Sequence, residues 1–240
     1  MLKFIALGLS LLVTCGHIQA APDINGIWIN QALIDAAAQG RPLNTAGSNL
    51  EWEIDTLTGK ARASNGFETG EGVLRQTAPD TWTVDYNGFG TDELRFDGEQ
   101  LIQKAKAHYP QLTFQRPVEA PSVGATRSTT FRKALNAAYL GGRWHIVEGP
   151  GAGGPVVFDA DGEVSGLTDI VRYELCLDGD CSSQGAGHDT IYLGAAGHGQ
   201  SWIFVRKGKQ LEIFQAINTA QMDEIPQFTP GPRRWLLEKQ

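Results

Sequence analysis

The apolar positions of this chain fall mostly at every second residue, in short runs bounded by glycine, proline and Asp-Gly pairs. That spacing predicts antiparallel β-structure. Gly26-Ile27-Trp28-Ile29-Asn30 reads as a strand with Ile27 and Ile29 on one face and Trp28 on the other. Leu50-Glu51-Trp52-Glu53-Ile54 alternates apolar and acidic residues, which predicts a strand with Glu51 and Glu53 on a wet face. Between Thr81 and Tyr86, the side chains of Trp82, Val84 and Tyr86 share a face. Asp97-Gly98 predicts a two-residue hairpin that pairs Leu94 with Leu101, and Leu112-Thr113-Phe114-Gln115-Arg116 closes the half. Helical spacing is confined to Ala32–Ala38, stopped by Gly40 and Pro42, and to about Phe131–Leu140. The second helix is capped by Ser128-Thr129-Thr130 and places Phe131, Ala134, Leu135, Ala138 and Tyr139 on one face.

The second half begins again with a glycine–tryptophan strand, Gly142-Arg143-Trp144-His145-Ile146. A hairpin at Asp161-Gly162 follows Pro155-Val156-Val157-Phe158. Another, at Lys207-Gly208, pairs Phe204 with Leu211 and Trp202 with Ile213. Short turns without long crossover helices argue for a meander. The expected fold is mainly β: two tandem small antiparallel barrels with one or two short helices. A first barrel spans 21–117, a Pro/Gly/Ser-containing linker 118–127, and a second barrel with its preceding helix 128–240.

The two halves share Gly-x-Trp on the first strand, an Asp-Gly hairpin after an apolar strand (Leu94 to Gly98, Phe158 to Gly162) and a last strand ending in a cation (Leu112 to Arg116, Leu237 to Lys239). This pattern resembles small bacterial lipocalin-like domains. The resemblance implies that each Trp lies at a barrel base under the terminal-strand cation, Trp28 with Arg116 and Trp144 with Lys239 or Arg234. It implies no single ligand, because such folds bind very different things.

Export changes the picture next. Lys3 followed by the apolar run Phe4–Val13 forms a signal-peptide pattern too short to span a bilayer, and Ile18-Gln19-Ala20 offers cleavage before Ala21. Lipidation at Cys15 is the alternative and the only expected route to a membrane, as an outer-membrane lipoprotein; otherwise the chain is periplasmic or secreted. Without residues 1–20 the chain keeps 27 acidic residues and loses Lys3, leaving 19 basic ones, a net −8. That balance excludes a nucleic-acid role and favours a basic protein partner. Cys176 and Cys181 flank Leu177-Asp178-Gly179-Asp180, which predicts a disulfide across a type I′ hairpin.

Chemistry is sparse. No nucleophile elbow, zinc-protease helix, phosphate loop or dinucleotide fingerprint occurs, and the residues call for no cofactor, metal or catalytic side chain. Asp159-Ala160-Asp161-Gly162-Glu163 departs from calcium-loop spacing and reads as a hairpin turn. The candidate binding residues are those of the loops opposite the Gly-x-Trp ends: Gly151 and Gly153 in the run Gly149–Pro155, read as a flexible loop, with His145, His188, Asp189 and His198. The leading expectation is a non-catalytic exported binding protein of the inhibitor or immunity type that blocks a secreted, wall-degrading enzyme or toxin. The alternatives are a carrier of a small apolar ligand in a barrel lumen, and a hydrolase or metal-dependent enzyme centred on His188 and His198.

Overall fold

The computed structural model describes residues 22–43, 48–106, 109–119, 129–195 and 198–240. The expected signal segment with Cys15, Ser128 and most of the expected linker lie outside the described residues.

Among the described residues sixteen strands form two eight-stranded antiparallel sheets. The first is an uninterrupted meander of β1 (Gly26–Ile29), β2 (Glu51–Asp55), β3 (Lys60–Ser64), β4 (Thr69–Ala78), β5 (Thr81–Asp85), β6 (Thr91–Phe96), β7 (Leu101–Gln103) and β8 (Leu112–Phe114). It closes on itself where Ile29 and Gln115 exchange two backbone hydrogen bonds, each 2.9 Å. The second sheet comprises β9 (Gly142–Glu148), β10 (Pro155–Phe158), β11 (Val164–Ser165), β12 (Arg172–Leu175), β13 (Thr190–Ala195), β14 (His198–Lys207), β15 (Gln210–Asn218) and β16 (Phe228–Lys239). Its order is β11-β10-β9-β16-β15-β14-β13-β12, and the seam is closed by Val164 donating to Val171 and Tyr173 to Gly162. Three short helices occur among the described residues: α1 (Gln31–Ala38), α2 (Thr129–Tyr139) and α3 (Asp180–Gln184).

The expected tandem of nearly closed antiparallel barrels is therefore present, although several turns differ. Asp97 accepts from the amides of both Glu99 and Gln100, so the turn has four residues and Phe96, not Leu94, faces Leu101. The β14–β15 register is likewise displaced by two, with Phe204 opposite Ile213 and Trp202 opposite Gln215. A shift of two keeps every side chain on its face, so the apolar surfaces survive. The Cys176–Cys181 disulfide forms with Cα atoms 5.9 Å apart, but not across a β-hairpin. Gly179 turns the chain with φ +72° into α3, which carries Cys181.

Large side chains fill both interiors. Trp28, Trp52, Trp82 and Phe114 occupy the first barrel; Trp144, Phe158, Phe204 and Tyr173 occupy the second. In each, the indole N–H of the Gly-x-Trp residue donates to the carbonyl four residues earlier, Ile24 at 2.9 Å and Leu140 at 2.7 Å.

The barrels are docked in series, the base of the second against the β1–β3 side of the first barrel's mouth, which leaves the rest of that mouth open. Glu51, buried and not wet, accepts the amide of Phe131 at 2.7 Å, placing an anion in the first turn of α2 where amides lack helical partners. Arg132 donates to the carbonyls of Gly66 in the first barrel and Leu175 in the second. Arg206, at the end of β14, reaches the C-termini of both long helices: its guanidinium donates to the carbonyls of Ala37 and Ala38 in α1 and of Ala138 and Tyr139 in α2. One cation thus neutralises two helix ends.

Candidate functional site

The serial docking leaves the mouth of the second barrel free. Its floor comes from strand alternation: Trp202 on β14 and Trp235 on β16 point inward near the barrel's far end, ring centroids 5.2 Å apart. The Trp235 indole donates to the carbonyl of Pro150 at 3.2 Å, and the Arg234 guanidinium lies 5.5 Å from its centroid. Among the described residues no carboxylate pairs with Arg234. Arg233 instead bridges Glu212 at 2.7 Å and Glu148 at 2.6 Å. Among the described residues the buried indole nitrogen of Trp202 has no hydrogen-bond partner. These groups open into a cleft of about 680 Å³ that His198, Gln200, Gln215 and Asp169 also line.

The run Gly149–Pro155, expected as a loop, borders this cleft as a hydrogen-bonded turn. Gly153 donates to Ile146 and receives the chain back through Ile146 donating to Gly154. Gly151 and Gly153 both have positive φ, and a Cβ on Gly149 would sit 2.1 Å from the Arg234 carbonyl oxygen.

Beyond the cleft the sheet projects. Phe228–Pro230 of β16 pair with Ala216–Asn218 of β15 and, among the described residues, with no other strand, forming a two-stranded arm. Its loop is held internally: Asn218 Oδ1 accepts from Ala220 and Gln227, Thr219 donates to the Gln227 carbonyl, and Glu224 accepts from the amide of Gln221. Met222 is 92% exposed, and Ile225 and Ile217 are also on the surface. Pro230 and Pro232 carry no backbone N–H, which weakens the β16 side of the arm as an edge for strand addition.

The predicted candidates separate on this frame. His198 lines the cleft, with Gly151 and Gly153 in the neighbouring turn. His188 lies at the opposite end of β13 from His198, about 20 Å away at ~3.3 Å per strand residue. The glycines flanking both histidines are alike, but one extended strand separates them, and the expected histidine pair does not assemble. His145 sits on the outer face of β9, between the inward Trp144 and Ile146. Asp189 faces the junction, where it accepts from Leu43 N at 3.0 Å and from the Tyr139 hydroxyl at 2.7 Å. Burial, opposed by those two hydrogen bonds, holds its carboxyl above the usual aspartate range. Burial likewise raises the Tyr139 phenol and lowers Arg206. Among the described residues no three His, Cys, Asp or Glu side chains are placed to hold a metal ion.

At the bases, Arg116 lies 4.0 Å from the Trp28 centroid and Lys239 5.5 Å from that of Trp144, with Arg206 5.9 Å from the latter. Arg234 sits at the other end of β16, over Trp235. Burial and the nearby Arg206 charge lower the Lys239 ammonium.

Sequence reasoning missed the projecting arm and the junction residues Arg206, Glu51 and Arg132. The Pro230-Gly231-Pro232 run was a signal for a strand leaving its sheet.

No protein-family model, curated protein or solved structure matches this chain.

Proposed function

We propose that this chain is an exported, non-catalytic binding protein of the inhibitor or immunity type, built from two lipocalin-like barrels, that blocks a basic secreted hydrolase. The observation that carries the reading is the arm beside the free mouth of the second barrel. A hairpin of two strands is marginal by itself in water, yet this one is ordered by its own loop hydrogen bonds and presents Ile217, Met222 and Ile225 outward. Preorganised apolar side chains next to a cleft lower the entropic cost of binding a protein surface. The acidic balance of the chain favours encounter with a basic partner. The lipocalin-like assignment draws support from the paired base contacts, Arg116 with Trp28 and Lys239 with Trp144. The aromatic filling of both interiors weighs against a lumen carrier, and the separation of His188 from His198 against a histidine-centred enzyme.

The test is inhibition. The mature chain is added at equimolar ratio to basic secreted wall-degrading hydrolases and turnover is followed. The proposal expects stoichiometric loss of activity for at least one of them. Met222→Asp with Ile225→Asp should relieve the inhibition without changing the circular dichroism or melting temperature. Inhibition of none, or inhibition indifferent to the arm substitutions, overturns the proposal.

A further inference from the structure

The mouth of the first barrel holds a second and chemically different constellation. Strand alternation places Leu94 and Phe96 of β6 toward the interior, and Asp92 occupies the next inward position. An aspartate there is 4% exposed, and a charge so buried needs partners. Its Oδ2 accepts from the Tyr86 hydroxyl at 2.8 Å. Its Oδ1 accepts from Gln103 Nε2 at 3.0 Å and from the Lys106 ammonium at 2.6 Å. Gln103 is itself inward-facing on β7, and its Oε1 accepts from Asn49 at 3.1 Å and from the Trp52 indole at 3.3 Å. The carboxylate is therefore fixed from the core outward by β5, β6 and β7, at the floor of an open cavity of about 460 Å³.

Three aromatic side chains line that same cavity: Tyr86, Phe89 and Tyr109. Phe89 stands at the tip of the turn between β5 and β6 and is 95% exposed; Tyr109 is half-exposed on the other side. Glu68 adds a second acidic residue to the wall, and Lys106 is the one basic residue among those lining it. Lys106 does not belong to the barrel wall. It follows the end of β7, in an isolated bridge with Tyr109, and its side chain remains 42% exposed while its ammonium reaches the buried carboxylate.

We propose that this mouth binds a small organic ammonium, and that Lys106 is a tethered occupant which the ligand displaces. A buried carboxylate in a cavity lined by aromatic side chains is the chemistry that recognises an ammonium with an apolar body. The anion takes the charge, and the ring faces take the cation and its alkyl groups through their negative quadrupoles. The Lys106 contact shows the ammonium geometry the floor accepts. A cavity of this volume is ample for a small ligand. A covering ligand would also shield the Phe89 ring from water.

The experiment titrates the full mature chain at pH 8 and constant ionic strength with n-butylammonium chloride, followed by calorimetry, with sodium chloride and sodium butyrate as controls. Lys106→Met, which vacates the carboxylate, should bind n-butylammonium at least about tenfold more tightly than the native chain. Adding Asp92→Asn to that variant should abolish binding. Phe89→Ala, at an exposed position where folding is not at stake, should weaken binding several-fold with an unchanged melting temperature. If Asp92→Asn fails to fold, Phe89→Ala and Tyr109→Ala in the Lys106→Met background decide the matter. No tighter binding in Lys106→Met, equal binding of butyrate, or indifference to Phe89→Ala and Tyr109→Ala overturns the proposal.

Discussion

Replacing Arg206 by methionine should loosen the union of the two barrels more than any other single change in a surface-proximal strand end. Arg206 is 8% exposed, and its guanidinium donates to five backbone carbonyls, those of Ala37, Ala38, Ala138, Tyr139 and Gly208. Three of these share Nη1, so the set is equivalent to about three full charge-assisted bonds. Each such bond contributes about 1.5–3 kcal/mol net, and contributions around one guanidinium are not additive. Water can replace part of the lost donation at the helix ends, so the expected loss is about 3–5 kcal/mol, below the sum of three such bonds. For a chain of this size that corresponds to a melting temperature lower by roughly 10 °C. Urea unfolding followed by tryptophan fluorescence gives the free energy. Limited proteolysis of the native state reports whether the α1–α2 junction opens first. Arg206→Lys should recover less than half the loss, because one ammonium cannot serve both helix C-termini. A loss below about 1 kcal/mol for Arg206→Met would refute the reasoning and mean that solvent caps the helices equally well.

Three further outcomes follow from the junction and the disulfide. Glu51→Gln keeps the shape but removes the anion from the start of α2, and should cost about 1 kcal/mol in urea unfolding. Cys176→Ser with Cys181→Ser opens a loop of five-residue separation, for which chain entropy predicts about 2 kcal/mol, read as a lower urea midpoint. Asp189 sets a pH dependence. Its carboxyl is held above the unfolded value, so between that value and the raised one the folded state binds more protons than the unfolded state. Stability from this group is therefore present at low pH and lost as pH rises through the raised pKa. Unfolding free energies measured from pH 4 to 7 should show this decline in the native chain and a flatter profile in Asp189→Asn; identical slopes would contradict the assignment.

Much of the architecture was legible because a period of two tolerates errors. The hairpins at Asp97-Gly98 and Lys207-Gly208 both close two residues away from the expected register, yet Leu94, Phe96, Phe204 and Ile213 remain inward. The repeated Gly-x-Trp strands marked the bases correctly because their glycines and indoles serve local geometry, including hydrogen bonds only four residues back. Strand β3 was harder to see, since its inward residues are Ala61 and Ala63, small side chains of low β propensity. What alternation could not convey was contact between barrels. Glu51 reads as a wet position, and only the arrival of α2 over the strand end buries it. Arg206 reads as an ordinary strand-end cation until two helix C-termini converge on it. Asp92 sits in a Thr-Asp-Glu-Leu run that looks like a solvated edge, and its inward role depends on partners 6 to 14 residues away. His188 and His198 looked paired because glycines flank both, a similarity of composition that carries no distance.

The central claim, that the free mouth and arm of the second barrel engage a secreted hydrolase, is tested most directly by amide hydrogen exchange. The chain from Ala21 onward is compared alone and with a basic hydrolase that it inhibits. Added protection should concentrate in residues 215–231, the Gly149–Pro155 turn and the β13–β14 end carrying His198. Protection confined instead to the bases around Trp28 and Trp144, or to the first-barrel mouth around Asp92, would contradict it.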